Sequence, residues 1–204
     1  MNFREIVFTI KTIPEESFLK LEDIVKQVAL PKGHLLFKAN KINNRIYFIA
    51  KGISRAFIEG DQNEVTFAFF DEGKILLSIQ SYVMDIAGYE SIELLEDCEL
   101  FQLHKNDLEA LYSSDIHLAN WGRKLADISF VETEKQTISR QFKSTLDRYE
   151  EFVKSYPDIL QRVKLKHIAS YLGMTQVSLS RIRAKDKRRL RQAQLKSTES
   201  GKSL

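Results

Sequence analysis

The chain has 204 residues, 43% of them hydrophobic, enough for one large core or a medium core plus a small one; two domains fit best. Its formal net charge is only +3, from 31 Lys and Arg against 28 acids, so the average selects no partner. A single cysteine, Cys98, excludes an intramolecular disulfide and a thiolate cage of the zinc-finger or iron–sulfur kind, and it fits a reducing cytoplasm.

The N-terminus, Met1-Asn2-Phe3-Arg4-Glu5, brings in charge at once with no apolar stretch behind it. The uncharged run from Ile75 to Met84 is too short to span a bilayer. The expectation is a cytoplasmic chain with no membrane partner. Charge is unevenly spread: Asp71 to Glu99 is acidic and Arg181 to Lys196 almost purely basic, which suits a C-terminal end that meets a polyanion.

In chain order, Phe18, Leu21, Val25 and Val28 recur at helical spacing behind Pro14-Glu15-Glu16, where proline and acids favour a helix start. From about Leu30 to Leu103 short apolar or alternating runs take over, among them Ile46 to Ile49, Ile53 to Ile58, Val65 to Phe70 and Ile92 to Leu103. Glycines at 33, 52, 60 and 73 lie between runs, and Asp61-Gln62-Asn63 reads as a hairpin tip. Strands so short and regular, with no helix expected between them, imply an antiparallel β unit that closes on itself. After Asn106-Asp107 the helical period returns, and a long helix is expected over about Asp115 to Phe142. Its Leu118, Trp121, Leu125 and Ile128 repeat at intervals of three, four and three, the seam of a coiled coil. The stripe is read as a dimer seam; packing on the chain's own β unit is the other use for it. Another helix should cover Ser144 to Ser155, ending before Pro157.

The most informative stretch is Lys166 to Arg183. Ile168, Ala169 and Leu172 share one face of a first helix, and Leu179 and Ile182 one face of a second. Ala169 permits close crossing, Gly173 suits the left-handed turn, and the Thr175 hydroxyl is placed to accept from the amide of Val177 or Ser178. With Leu179 and Ile182 inward, 100° steps put Val177, Ser180, Arg181 and Ala184 outward, flanked by Gln176 and Ser178. That side suits a major groove: Arg181 for guanine, Gln176 for adenine, Val177 or Ala184 for a thymine methyl, Thr175 and the helix start for phosphate. Lys185 and the basic run to Lys196 add phosphate-seeking charge. The DNA-binding candidates are Thr175, Gln176, Val177, Ser178, Ser180, Arg181 and Lys185.

With these motifs in view, the chain resembles a Crp/Fnr-type transcription regulator over nearly its whole length. Leu30-Pro-Lys-Gly-His-Leu-Leu-Phe37 is similar to the segment that leads into that family's β-roll, Ile46-Tyr-Phe-Ile-Ala-Lys-Gly52 to its next strand and turn, and the stretch through Arg181 to its recognition motif. The implied fold is α+β: a cyclic-nucleotide-binding-like antiparallel β-roll of jelly-roll type over residues 1–113, a dimerisation helix over 114–142, and a winged-helix-like helix-turn-helix domain with a basic tail over 143–204. The resemblance implies a homodimer on palindromic double-stranded DNA, two recognition helices about 34 Å apart, and RNA polymerase as a further partner.

Two departures from the family pattern stand out. Members that bind cyclic nucleotides carry a Gly-Glu pair for the ribose and an Arg-Ser or Arg-Thr pair for the cyclic phosphate. An ungapped alignment from Gly73 puts Leu77-Ser78 and Gly88-Tyr89 there instead, with Glu90 and Glu93 adding repulsion. These four positions are the candidate effector pocket, the expectation is no cyclic AMP and no cofactor, and the effector stays unnamed. Second, the chain runs from the recognition helix straight into basic residues, so the β wing is either lost or lies earlier. Gln176-Val177 also stand where well-known members have an Arg-Glu pair, so only Arg181 carries over.

The four histidines, His34, His104, His117 and His167, lack ligand spacing, so neither haem nor metal is expected, and Cys98 reads as a buried strand residue. Catalysis is not expected, because no nucleophile elbow, phosphate-binding glycine loop or metal-spaced cluster occurs. The competing class is a non-catalytic ligand-sensing β-roll whose C-terminal helices bind a protein partner.

Overall fold

The structure, a computed structural model, describes residues 1–60 and 63–185. The chain divides into two compact units, Met1–Gln141 and Phe142–Leu204.

In the first unit, α1 (Phe3–Ile10) and α2 (Glu15–Asp23) precede β1 (Lys26–Leu30), β2 (Leu35–Phe37), β3 (Arg45–Lys51), β4 (Ser54–Glu59), β5 (Glu64–Phe70) and β6 (Ile75–Leu76). A short helix α3 (Ile79–Met84) is followed by β7 (Ser91–Leu94), β8 (Cys98–His104), α4 (Lys105–Ser114) and α5 (Ile116–Phe142). The strands form two four-stranded antiparallel sheets, ordered β1-β8-β3-β6 and β2-β7-β4-β5. Period-two alternation explains how they stack. Along β3, Tyr47 and Ile49 enter a core shared with Phe37, Ala56, Ile92, Leu94 and Leu100 of both sheets, whereas Ile46 and Phe48 enter a second core with the helices. The first sheet is thus apolar on both faces and forms the middle layer. At its end, Gly52 (φ 113°) lies so close to β8 that any Cβ would collide with the Cys98 sulfur, so no side chain fits there.

Three expectations are corrected here. The chain opens with a helix that the sequence reading did not find: α1 carries an Asn2–Glu5 capping box and buries Phe3, Ile6 and Val7. The helix after Pro14 stops at Asp23, and Val28 lies on β1, paired with Leu100. A helix also intervenes among the strands, α3.

The dimer seam is corrected as well. Leu118 and Trp121 are wholly buried in the helix-side core, and Trp121 Nε1 donates 2.9 Å to the Val7 carbonyl. Leu125 is half-buried against the same core and Ile128 is half-buried. Leu118, Trp121 and Leu125 therefore pack on their own unit, the alternative use of that spacing. Farther along α5 the same face turns polar: Glu132 pairs with Lys74, and Gln136 and Arg140 donate to the Phe67 carbonyl at 2.9 and 3.1 Å. Phe67 is the extra residue where the β4–β5 register shifts, which frees its carbonyl for them. Phe130, Val131 and Ile138 are exposed, on a face roughly 140° round the helix from the buried stripe by 100° steps.

In the second unit, α6 (Thr145–Ser155), α7 (Ile159–Arg162), α8 (Leu165–Leu172) and a helix α9 described over 176–185 enclose Tyr149, Phe152, Ile159, Val163, Ile168, Ala169, Leu172 and Leu179. Ser144 caps α6 in a reciprocal box with Asp147. No strand occurs among described residues 142–185, so no wing precedes the recognition motif there; the basic run after Lys185 and Asp61-Gln62 lie outside the described residues.

Candidate functional site

The stretch read as a helix-turn-helix consists of α8, a turn and α9. Gly173 adopts φ 67°, ψ 38°, and its amide donates back to Ser170 while that of Met174 reaches Ala169, ending α8 in a left-handed turn. The Leu172 carbonyl accepts from Arg148 Nη2 at 3.0 Å, so α6 tethers the same helix end. Thr175 Oγ1 accepts from the Ser178 amide at 3.1 Å, which starts α9.

Leu179 is fully buried and Ile182 half-buried, fixing the inward side of α9. Thr175, Gln176, Val177, Ser178, Ser180, Arg181, Ala184 and Lys185 are all exposed. An uncovered Val177 beside amide, hydroxyl and guanidinium groups is what base edges and a thymine methyl require. Exposed cations on one helix give a surface for phosphates rather than for a buried ligand.

The second candidate site is the cassette between β6 and β7, and only two of its four expected residues meet. Ser78 and Gly88 are buried and adjacent: a Cβ on Gly88 would overlap Ser78 Oγ. Leu77 packs half-buried against the helix-side core, and Tyr89 is exposed, its ring 6.5 Å from that of Phe67. Gly88 is held by backbone bonds to the preceding loop, Asn40 N to Gly88 O and Gly88 N to Lys41 O.

Sequence reasoning missed two members, Ser81 and the inward aim of Glu90. Ser81 is fully buried; Glu90 is nearly so, with both oxygens against Gly88. Their signal was weak because a six-residue helix among strands shows too little periodicity to orient Ser81. Glu93, by contrast, points elsewhere. It faces Arg55 across the β4–β7 ladder and receives that buried guanidinium at 2.7–2.9 Å, with Glu64 as second partner and the Phe57 ring 4.1 Å below. Beyond the cassette, Lys105 Nζ, buried at the start of α4, binds Asp85 at 2.6 Å and so ties the end of α3 to α4.

Residues 77–90 contain no Lys or Arg, and the Glu90 carboxylate lies against Gly88. The described residues hold no group of three or more His, Cys, Asp or Glu able to bind a metal, and none of their helices is long and apolar enough to cross a membrane.

Comparison with known proteins places this geometry. Residues 27–115 match the family described as cyclic nucleotide-binding domain. Among solved structures, FixK2 from Bradyrhizobium japonicum superposes with a TM-score of 0.68 at 15% identity, over 79% of this chain and 84% of that one. A chain from Eubacterium rectale described as a regulator of the Crp/Fnr family gives 0.66 at 17% identity, covering 83% and 82%. The catabolite activator protein of Thermus thermophilus gives 0.55 at 20%, covering 88% and 85%. A search of curated protein sequences found no match. Residues 27–115 are thus similar to a cyclic nucleotide-binding domain, and the chain has the fold of these Crp/Fnr regulators, with its sheets in a β-roll.

Proposed function

We propose that the chain is a DNA-binding transcription regulator of the Crp/Fnr family, non-catalytic, acting as a homodimer on a palindromic operator, with an effector other than cyclic AMP. The observation that carries this reading is the uncovered side of α9: Gln176, Ser180 and Arg181 face solvent while Leu179 is buried behind them. A capped helix start at Thr175 and the cations Arg181 and Lys185 support it, since phosphates position such a helix and base edges then select the sequence. A protein-binding surface would favour aromatic and apolar anchors, and among the described residues Val177 is the one large apolar side chain on that side.

Dimerisation is assigned to the exposed Phe130, Val131 and Ile138 of α5, in place of the buried stripe. Three large apolar side chains on one helix face are costly to leave in water and suit a parallel copy of the same helix. The Glu90 carboxylate beside Gly88 supports the exclusion of cyclic AMP.

The test is selection of bound duplexes from a random pool by the full chain at near-physiological salt. Enrichment of an inverted repeat with half-sites one helical turn apart is expected. Failure to enrich any sequence rejects the reading. Calorimetry with cyclic AMP is expected to give no heat of binding, and micromolar affinity would reject that part alone.

A further inference from the structure

The outward side of the cassette is apolar, and nothing in the first unit covers it. α3 carries no charged residue, and its two sides differ: Ser81 is buried and Tyr82 packs on the helix-side core, while Ile79, Val83 and Met84 stay in water at 57%, 68% and 65% exposure. The loop behind α3 adds Ile86 and Tyr89, at 46% and 63%. Asp85, between them, is already paired with Lys105. Together the five apolar side chains leave roughly 600 Å² in water, the upper end of what a monomer carries in its largest patch.

Two contacts set this surface beside α5. At one end, Tyr82 shares the helix-side core with Tyr112, whose ring lies so close to Gly122 of α5 that a Cβ there would sit 2.5 Å from it. At the other, the Tyr89 ring is 6.5 Å from that of Phe67, whose carbonyl accepts from Gln136 and Arg140 of α5. The cassette thus meets the flank of the long helix near both ends of the stretch that exposes Phe130, Val131 and Ile138.

That helix face is small for the task of holding two copies together. Its three large apolar side chains expose roughly 350 Å², whereas each side of a stable interface covers about 800 Å². By 100° steps the exposed Arg123, Asp127 and Glu134 share the same face, so little more apolar area is to be found on α5. The cassette supplies what is missing, and it does so on the same unit.

From this we infer that the outward side of the cassette belongs to the dimer interface and is covered by α5 of a second copy. A two-fold interface is self-complementary: each copy offers one α5 and one cassette, so both apolar surfaces leave water in the same event. Parallel helices in register put Ile138 of the second copy level with that of the first, the height at which Tyr89 lies. The inference rests on the homodimer reading above and extends it from three residues of one helix to a second element. It also gives the uncharged run from Ile75 to Met84 a use that requires no ligand.

The test is sedimentation equilibrium of the full chain over a concentration series that spans dimer dissociation. Val83→Ser is expected to raise the dimer dissociation constant roughly tenfold, and Val83→Glu by more, because each interface contains the residue twice. Tyr89→Ser, at the other end of the surface, should weaken the dimer several-fold. All three side chains replaced are exposed in the single chain, so the circular dichroism spectra should match the parent's. A Val83→Glu chain that dimerises as tightly as the parent overturns the inference. If that chain also loses binding to phosphatidylglycerol vesicles that the parent binds, the cassette faces a lipid surface instead. Ile138→Glu separates this inference from the reading beneath it. Dimers lost in Ile138→Glu but kept in Val83→Glu and Tyr89→Ser overturn the part of the cassette alone, whereas a parent chain that is monomeric at every concentration overturns the homodimer itself.

Discussion

The indole of Trp121 on α5 donates a 2.9 Å hydrogen bond to the carbonyl of Val7 on α1, joining residues 114 positions apart inside a core from which water is excluded. This bond separates two kinds of apolar residue on the same helix. Leu118→Glu is expected to abolish the fold of the first unit, since a charge replaces a fully buried side chain. Trp121→Phe should cost about 1–3 kcal/mol, from the lost indole hydrogen bond and the lost volume, while the Val7 carbonyl keeps the Lys11 amide. Ile138→Glu, on the exposed face, should leave the circular dichroism spectrum intact and shift sedimentation from dimer to monomer. An Ile138→Glu chain that still sediments as a dimer would remove Phe130, Val131 and Ile138 from the interface.

Asp115 joins α4 to α5 and predicts an acid-sensitive element. Burial by itself raises its carboxyl pKa, but Ser17 Oγ, Lys20 Nζ and the amides of Leu118 and His117 all donate to it, and together they hold it below the ordinary value. With the folded-state value depressed, the stabilisation is complete above the unfolded-state pKa, about 4, and is lost as pH falls through the lower folded-state value. Asp115→Asn retains much of the helix cap and loses the charge, so it should destabilise by about 1–3 kcal/mol at pH 7. The gap between parent and variant in urea midpoints should narrow below about pH 4. A gap independent of pH would mean that the charge of Asp115 contributes nothing.

What could be read from the sequence follows from how local each signal is. Gly173 and Thr175 mark the turn between α8 and α9 because a left-handed residue and a capping hydroxyl are local requirements, and both appear in the structure as that spacing demands. The Leu118 to Ile128 spacing showed correctly that α5 has an apolar face, but periodicity does not say what covers it; that depends on α1, 114 residues away. The short α1 itself carries its cap at Asn2 and Glu5, residues that read simply as early charge and polarity. Glu90 and Glu93 look equivalent in sequence, yet one faces Gly88 from the loop before β7 and the other faces Arg55 from within β7.

Gly173 is held where only backbone freedom matters. A Cβ there would meet Arg148 Nη2 at 3.8 Å, an ordinary contact, so space is not limiting, whereas φ 67° is unfavourable for a side chain. Gly173→Ala is expected to destabilise the second unit by about 1 kcal/mol and Gly173→Asn by roughly half of that, because asparagine tolerates the left-handed region. Calorimetric unfolding measures both. Equal losses would point to crowding at Arg148 in place of backbone strain.

Arg181 and Lys185 are both exposed cations on α9, yet they should fail differently. Arg181→Ala removes a group able to bond guanine O6 and N7 together, so it should weaken the selected operator by about 1–3 kcal/mol, roughly 5- to 150-fold, and relax preference at one base pair of each half-site. Lys185→Ala removes a point charge suited to phosphate. It should weaken all sequences alike and reduce the log–log salt slope by about one per protomer. Neither should alter thermal unfolding, since neither side chain is buried. Filter binding across a salt series, on the selected operator and on single-base variants of it, resolves the two patterns. An Arg181→Ala chain that keeps its base preference would show that α9 meets phosphates there and reads sequence through Gln176 and Val177.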